Sequence, residues 1–340
     1  MADLRALFPF GYFTKSSSVK TENLTSDYMD EKYTYALECI DVTALGNLET
    51  VLGPRSTRYF GSGYRDVRHE FLNETNLTVH GAETVARIIY PSTWSLDTQG
   101  NSREPHLSTI DAFLLPIKLL GMQEQNPELF VTRFNLRASS GAWTDLEHVP
   151  VSLRLSGTAL PNGFQFRVGN IRGSFELSGV ATALSTRKLQ KHLNVYDDFY
   201  RAILPETQLL RYNEATATLQ AEHQFQLCSD YNQIPPKGIE SAYWPSLTVV
   251  DYLVLMGQLS QALLELRYQT GRSGTLWMRR VSLSMGNKPQ PLNQPMTSAM
   301  TIVRDKYLQR AGRKIRDIAV EAVTSSGALL RADLAYEEGV

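Results

Sequence analysis

One helix is written into this chain twice. Residues 108–121 (STIDAFLLPIKLLG) and 248–261 (TVVDYLVLMGQLSQ) align without a gap at a spacing of 140, the difference between Asp251 and Asp111. Each copy opens on a hydroxyl residue, places an aspartate three positions later and runs into a long apolar stretch. The parallel continues downstream in LFVTRFNLRA (129–138) and LWMRRVSLSM (276–285), which carry Arg133 and Arg280 at the same place. An internal repeat of this length predicts two related halves. In a duplicated fold, function is expected in the seam between them.

The 340 residues leave room for two domains of ordinary size. A formal charge of −1 gives no general attraction to nucleic acid or to an anionic membrane surface, so neither partner is expected. The start of the chain lacks a basic segment followed by an apolar core, and no later stretch reads as the roughly 20 apolar residues that span a bilayer, so a cytoplasmic protein is expected. The two cysteines, Cys39 and Cys228, form no CxxC or Cys/His cluster. Structural zinc and a disulfide framework are therefore not expected, and no metal site is assigned.

Residues 1–30 are rich in Ser, Thr and Lys and read as an arm. Beyond it, strand patterns are expected at 32–43 and 83–91 before the first helix, and at 129–138, 149–159, 164–171 and 173–183 after it, with a turn at Pro161-Asn162-Gly163. Residues 189–201 (LQKHLNVYDDFYR) read as a polar helical bridge. The plan then repeats, with strands expected at 216–228, 276–285, 315–323 and 329–336 around the second helix. Helix then antiparallel meander, twice, is an α+β pattern.

Ser108-x-x-Asp111 and Thr248-x-x-Asp251 have the spacing of a capping box, in which the hydroxyl caps a free N–H and the acid reaches back. Both helices are apolar around most of their circumference, so each is expected to be wrapped by sheet. A buried helix in a curved antiparallel sheet is the hotdog plan. The expectation is a double hotdog, residues 30–190 forming one half and 195–340 the other.

Three segments, LGPRSTRYFGSGYR (52–65), YPSTWS (90–95) and PHLSTIDAF (105–113), resemble the avirulence D family of bacterial proteins in the same order and at similar spacing. The likeness is densest over residues 50–137. It implies an intracellular enzyme that makes a small elicitor of the syringolide type, a lactone-bearing acyl glycoside built from a β-ketoacyl thioester and a sugar or polyol. His106 to Asp111 also has the spacing of the HPxxLD motif of polyketide dehydratases, although Leu107 replaces the proline and no HxxxGxxxxP motif occurs. Double-hotdog folds are similar, too, to the A-factor synthase class, which passes a β-ketoacyl group to a polyol phosphate. These resemblances imply a substrate carried on coenzyme A or on the phosphopantetheine of an acyl carrier protein, with no resident cofactor; a homodimer is left open.

His106, just before a helix N-terminus, is the candidate general base. The alternative is a surface or cap-supporting histidine. Asp111 is its candidate partner or a ligand for a sugar hydroxyl, against the plain role of a capping acid. Ser108 and Thr109 open the helix whose free N–H groups could stabilise an oxyanion. Asp251 has the same spacing, but Ser246 stands where His106 does, so one working and one binding-only site are expected, with Tyr252 beside it as a contact. Arg133 and Arg280 are candidates for a substrate phosphate or carboxylate, or for an ion pair with an aspartate of the adjacent helix. Tyr59, Gly61 and Tyr64 lie on a glycine-punctuated aromatic loop that would close over the ligand or simply pack. Trp94, Tyr243 and Trp244 are expected to plug the core or the seam. The leading function is transfer of a β-ketoacyl group to a hydroxylated small molecule. A hotdog dehydratase or thioesterase is the alternative enzyme, and a non-catalytic acyl or lactone sensor the alternative outside catalysis.

Overall fold

The computed structural model describes residues 43–337 except 45, 73–74, 79–80, 98, 123, 125, 140, 158–161, 180–193, 229–234, 270–274 and 311–312. The expected arm, nearly all of the expected strand at 32–43, and Cys39 lie outside the described residues. Among those described, α-helix is confined to a short helix, Leu48–Leu52, and two core helices, Thr109–Gly121 and Val249–Tyr268.

Both core helices begin as their sequence dictates. Ser108 and Thr248 each sit in extended backbone at the N-cap, and each capping box is closed in both directions. The first helix is buried along its whole length after Thr109 and continues through Pro116. The second is about half as long again as the first, 20 residues against 13, because apolar spacing persists to Tyr268, where Gln269 caps it in the left-handed region at φ 50°. By length and composition this helix could cross a membrane, but 83% of its most apolar window is buried inside the fold. That corrects the expectation that no stretch would approach a spanning length.

The strands, β1 (Thr43–Ala44), β2 (Arg68–Phe71), β3 (Asn76–Thr78), β4 (Gly81–Ile89), β5 (Val131–Arg137), β6 (Val149–Leu155), β7 (Gly163–Val168), β8 (Ile171–Leu177), β9 (Ile203–Asn213), β10 (Thr218–Leu227), β11 (Thr275–Ser284), β12 (Met296–Arg310), β13 (Arg313–Thr324) and β14 (Leu329–Glu337), form one antiparallel sheet. Its order is β1-β9-β10-β12-β13-β14-β11-β5-β8-β7-β6-β4-β2, with β3 paired on β4. Counted outward from the β5–β11 contact, the two sides run β5-β8-β7-β6-β4-β2 and β11-β14-β13-β12-β10-β9. Each side therefore has the same path: a strand before the helix, a strand after it, and a three-strand meander inserted between those two in the sheet.

The seam register is centred on two equivalent residues of the repeat. Aligning Leu129 with Leu276 puts Asn135 on Ser282, and these two residues are paired across β5 and β11. Ser282 Oγ donates to Asn135 Oδ1 at 2.7 Å. A residue that pairs with its own repeat equivalent marks a local two-fold relation, as in an isologous interface between subunits. Asn135 and Ser282 mark that axis. On either side of it Phe134, Leu136, Val281 and Leu283 point inward and are buried against the helices.

Several elements differ from expectation. Residues 194–202 form a turn and a 3₁₀ segment (Phe199–Ala202) where a helical bridge was expected, since buried Tyr196, Phe199 and Tyr200 anchor this stretch on the core. Strands β9 and β12 carry no clean alternation in sequence and were not expected. They form because long neighbours, β10 and β13, offer unpaired backbone groups on both sides.

Candidate active site

The first core helix carries two charges in an otherwise apolar run, Asp111 and Lys118. Seven residues is two helical turns, so both lie on one face. That face meets β2, whose alternation turns His69 inward. His69 Nε2 lies 2.8 Å from Asp111 Oδ1, with both side chains 1% exposed. Lys118 Nζ lies 3.4 Å from His69 Nδ1. The partners assign the tautomer: a carboxylate only accepts, so Nε2–H donates to it, which leaves Nδ1 to accept from the ammonium.

The other carboxylate oxygen is equally crowded. Asp111 Oδ2 accepts from Ser108 N at 3.0 Å, from Ser108 Oγ at 2.7 Å, and from Tyr90 Oη. Tyr90 Oη also lies 3.0 Å from the His106 carbonyl oxygen. Tyr59 Oη lies 2.6 Å from Ser108 Oγ. Because Ser108 gives its proton to Asp111, Tyr59 is the donor in that pair. An unbroken chain thus runs Tyr59, Ser108, Asp111, His69, Lys118.

Burial acts on every member. It pushes the Asp111 carboxyl up, but the His69 contact and the Tyr90 and Ser108 hydrogen bonds outweigh it and hold the group below its ordinary range. Burial, reinforced by the neighbouring Lys118 charge, brings His69 down to about 4. Lys118 is brought down to about 8, again chiefly by burial. Near pH 7 the chain therefore holds a carboxylate and an ammonium separated by a neutral imidazole. Tyr59 and Tyr90 are both raised, by burial first and by the Asp111 charge second, so both remain phenols.

The Tyr59–Ser108 end of the chain opens on a cavity. A cavity of about 1480 Å³ is lined from both halves, and its wall includes Tyr59, Phe60, His106, Ser108, Thr109 and Trp277. Asp111 is fully buried and does not reach it. The Thr109 N–H, in the first helical turn, has no intrahelical acceptor. Two glycines keep the Tyr59 loop tight: a Cβ on Gly61 would stand 2.1 Å from the Arg55 carbonyl oxygen, and one on Gly63 1.8 Å from that of Trp94. Arg58 ties the same loop to the second helix through Gln258 at 3.0 Å.

The sequence candidates are thus partly gathered and partly dispersed. Tyr59, His106, Ser108, Thr109 and Arg280 line the cavity, with Asp111 directly behind Ser108. His106 is not the partner of Asp111, which corrects that pairing. Its Nδ1 lies 3.4 Å from the Glu104 carbonyl oxygen, and its ring packs between Trp94 and Trp277, at 5.8 and 5.5 Å. Arg133 is not part of the cavity lining and pairs at 3.3 Å with Glu176, a strand neighbour and not a helix aspartate. Arg280 makes a 3.8 Å contact with Asp333. Gly61 and Tyr64 serve packing, Tyr64 being buried with its hydroxyl accepting from Arg65. Asp251 and Tyr252 are buried in the second half away from this cavity, Tyr252 Oη lying 2.8 Å from Ser326 Oγ. Trp94 is buried among Tyr59, Tyr90 and His106, as a plug.

His69, Tyr90 and Lys118 were missed. The alternation of VRHEF places His69 inward beside Val67 and Phe71, and the seven-residue interval to Lys118 was legible on the helix. Neither says that the two elements meet.

Among the described residues, no group of three or more His, Cys, Asp or Glu side chains is placed to hold a metal ion. The profile of the Pseudomonas avirulence D protein (AvrD) family matches residues 44–337. No curated protein sequence matches the chain. Among solved structures, a conserved protein of unknown function with a hot dog fold from Alicyclobacillus acidocaldarius is 8% identical, with a TM-score of 0.40 over 84% of this chain and 99% of that one. The acyl-CoA thioesterase II TesB2 from Mycobacterium marinum is 11% identical, with a TM-score of 0.39 over 78% and 95%. The dehydratase domain from the CurJ module of the curacin polyketide synthase is 10% identical, with a TM-score of 0.37 over 79% and 97%.

Proposed function

This chain belongs to the avirulence D family, and we propose that it is an enzyme that transfers a β-ketoacyl group from a thioester to a hydroxylated small molecule in the cavity between its halves. The observation that carries this reading is the chain from Tyr59 through Ser108 to buried Asp111, which gives a proton a path out of the cavity. The family resemblance supports an acyl substrate, and the repeated strand path supports a double hotdog divided near residues 190–195.

In this reading the thioester carbonyl lies over the helix N-terminus, where the Thr109 N–H faces the developing oxyanion. The acceptor hydroxyl attacks the carbonyl carbon and its proton enters at Tyr59, as Tyr59 passes its own to Ser108 and Ser108 to Asp111. The C–S bond breaks as the C–O bond is kept. The proton then returns along the same chain and leaves at Tyr59 for the departing thiolate, so that Tyr59, Ser108 and Asp111 end as they began, while His106 lines the same cavity. Asp111 meets no substrate; it orients Ser108 and takes up the proton, giving up its charge until the proton leaves again.

The test follows thiol release and product mass with β-ketoacyl thioesters and candidate polyols. Release that requires the polyol, and that falls about 100-fold or more in Ser108→Ala and Asp111→Asn, is expected, since positioned acid–base groups contribute ~10²–10⁴-fold. Polyol-independent release would mean a thioesterase, loss of water from a hydroxyacyl substrate a dehydratase, and binding without turnover a sensor. Wild-type rates in both variants would sink the proposed chain.

A further inference from the structure

Four arginines stand in register across four adjacent strands. Arg280 of β11 pairs with Arg137 of β5, Arg137 with Arg172 of β8, and Arg172 with Arg167 of β7. Strand alternation confirms that they share a face, because Val281, Leu136, Ile171 and Val168, each one position away, are buried. All four arginines line the cavity described above. With strands spaced ~4.8 Å apart, the row is about 14 Å long.

Such a row is costly by itself, since like charges directly opposite one another destabilise a sheet. An ordinary solvated face interleaves acids to offset this cost. Here the next row on the same face is Ser282, Asn135, Ser174 and Gln165, all neutral. Among the described residues Arg137, Arg167 and Arg172 have no ion-pair partner, and Arg167 Nε donates to the Gly169 carbonyl oxygen at 3.1 Å. Arg280 shares Asp333 with Arg304, which holds it more closely, at 3.1 Å against 3.8 Å. The repeat makes no equivalent row, for the counterpart of Arg137 is Ser284.

We infer that this row is a subsite for a small molecule bearing two or more phosphoryl groups. Guanidinium forks match phosphate oxygens two at a time, and a row of them at strand spacing suits linked phosphates better than a single anion. Ser108 and Tyr59 line the same cavity, so its lining joins the row to the helix N-terminus. The subsite deepens the proposed transfer reaction and rests on it only for the identity of the reactive group. Two ligands supply this chemistry: the nucleotide end of coenzyme A, or a sugar bisphosphate acceptor.

Binding to the full chain is measured by calorimetry with adenosine 3′,5′-bisphosphate, coenzyme A, pantetheine and a sugar bisphosphate. At least one phosphate ligand is expected to bind, pantetheine is not, and Arg137→Ser/Arg172→Ser is expected to weaken binding more than tenfold and to flatten its salt dependence. Binding of the two adenine ligands alone identifies the carrier as the source, and of the sugar bisphosphate alone the acceptor. The double variant also melts at or above the wild-type temperature, because the repulsion is relieved, which excludes misfolding as the cause. No binding of any phosphate ligand, or equal binding by the double variant, overturns the subsite. Asp111→Asn separates the two readings: it keeps phosphate binding if the subsite is right, whatever becomes of turnover.

Discussion

Asp111 and Asp251 occupy the same position in two copies of one capping box, yet carry opposite charge tendencies. Each accepts the amide and hydroxyl of its own N-cap residue. Asp111 gains His69 and Tyr90 as further donors and is held below the ordinary carboxylate range despite burial. Asp251 lacks them, and burial pushes it up to about 7, past what the Thr248 bonds offset. Donor count decides the protonation of a buried carboxyl. The prediction at this scale concerns His69, which burial first and the Lys118 charge second bring down to about 4. In Lys118→Met the charge is gone, so the His69 imidazole should titrate measurably higher when followed by NMR. An unchanged titration would mean that the ammonium does not face Nδ1.

At the scale of elements, the Tyr59 loop and the second core helix are fitted to each other. Gly257 is an interior helical glycine, a choice that costs ~1 kcal/mol relative to alanine in propensity alone. The structure gives the reason: a Cβ there would stand 2.9 Å from Phe60 Cε2. Gly257→Ala should therefore destabilise the protein by about 1–3 kcal/mol, as overpacking does, and lower thiol release by displacing Tyr59 next to Phe60. Denaturant unfolding and the activity assay check both, and a stabilised variant would show that the ring moves freely. The glycines at 61 and 63, by contrast, were visible as a tight loop in sequence, but not what they approach. Of the aromatic residues there, Tyr59 and Phe60 line the cavity and Tyr64 is a core residue, a division that no spacing could have announced.

Across the whole molecule, the halves are joined by more than the β5–β11 ladder. Glu240, which precedes the second helix, accepts from the Val131 amide of β5 at 2.9 Å. Burial, with the Asp251 charge as a smaller contribution, pushes it up to about 7 from 4.5. Its folded pKa is raised, so its contribution is complete below about pH 4.5 and is lost as pH rises through 7, roughly 3 kcal/mol in all. His223, brought down to about 4 by burial, has the opposite sign: its contribution is complete above pH 6.5 and is lost as pH falls toward 4. His69 acts in the same direction as His223, and Asp251 as Glu240, so the two pairs oppose one another between pH 4 and 7 and single groups are read as differences between variants. Glu240→Gln keeps an acceptor for Val131 without the charge. Its melting temperature should gain on wild type as pH rises from 5 to 9, and a difference independent of pH would refute the assignment.

What the sequence determined by itself is everything governed by local spacing. It set the two capping boxes, the apolar girth that makes both helices core helices, and the strands with clean alternation. The tertiary structure decided what depends on contacts between distant segments. His69 and Asp111 are brought together from a strand and a helix that no periodicity links. The expectation of His106 beside Asp111 came from nearness in the chain, but a helix N-cap turns residues five apart toward different surroundings, one into the core and one onto the cavity wall. The arginine row belongs to the same class: four residues from four strands become one feature only when register sets them side by side. Local patterns fix which way a side chain faces, and only the assembled sheet fixes what it meets.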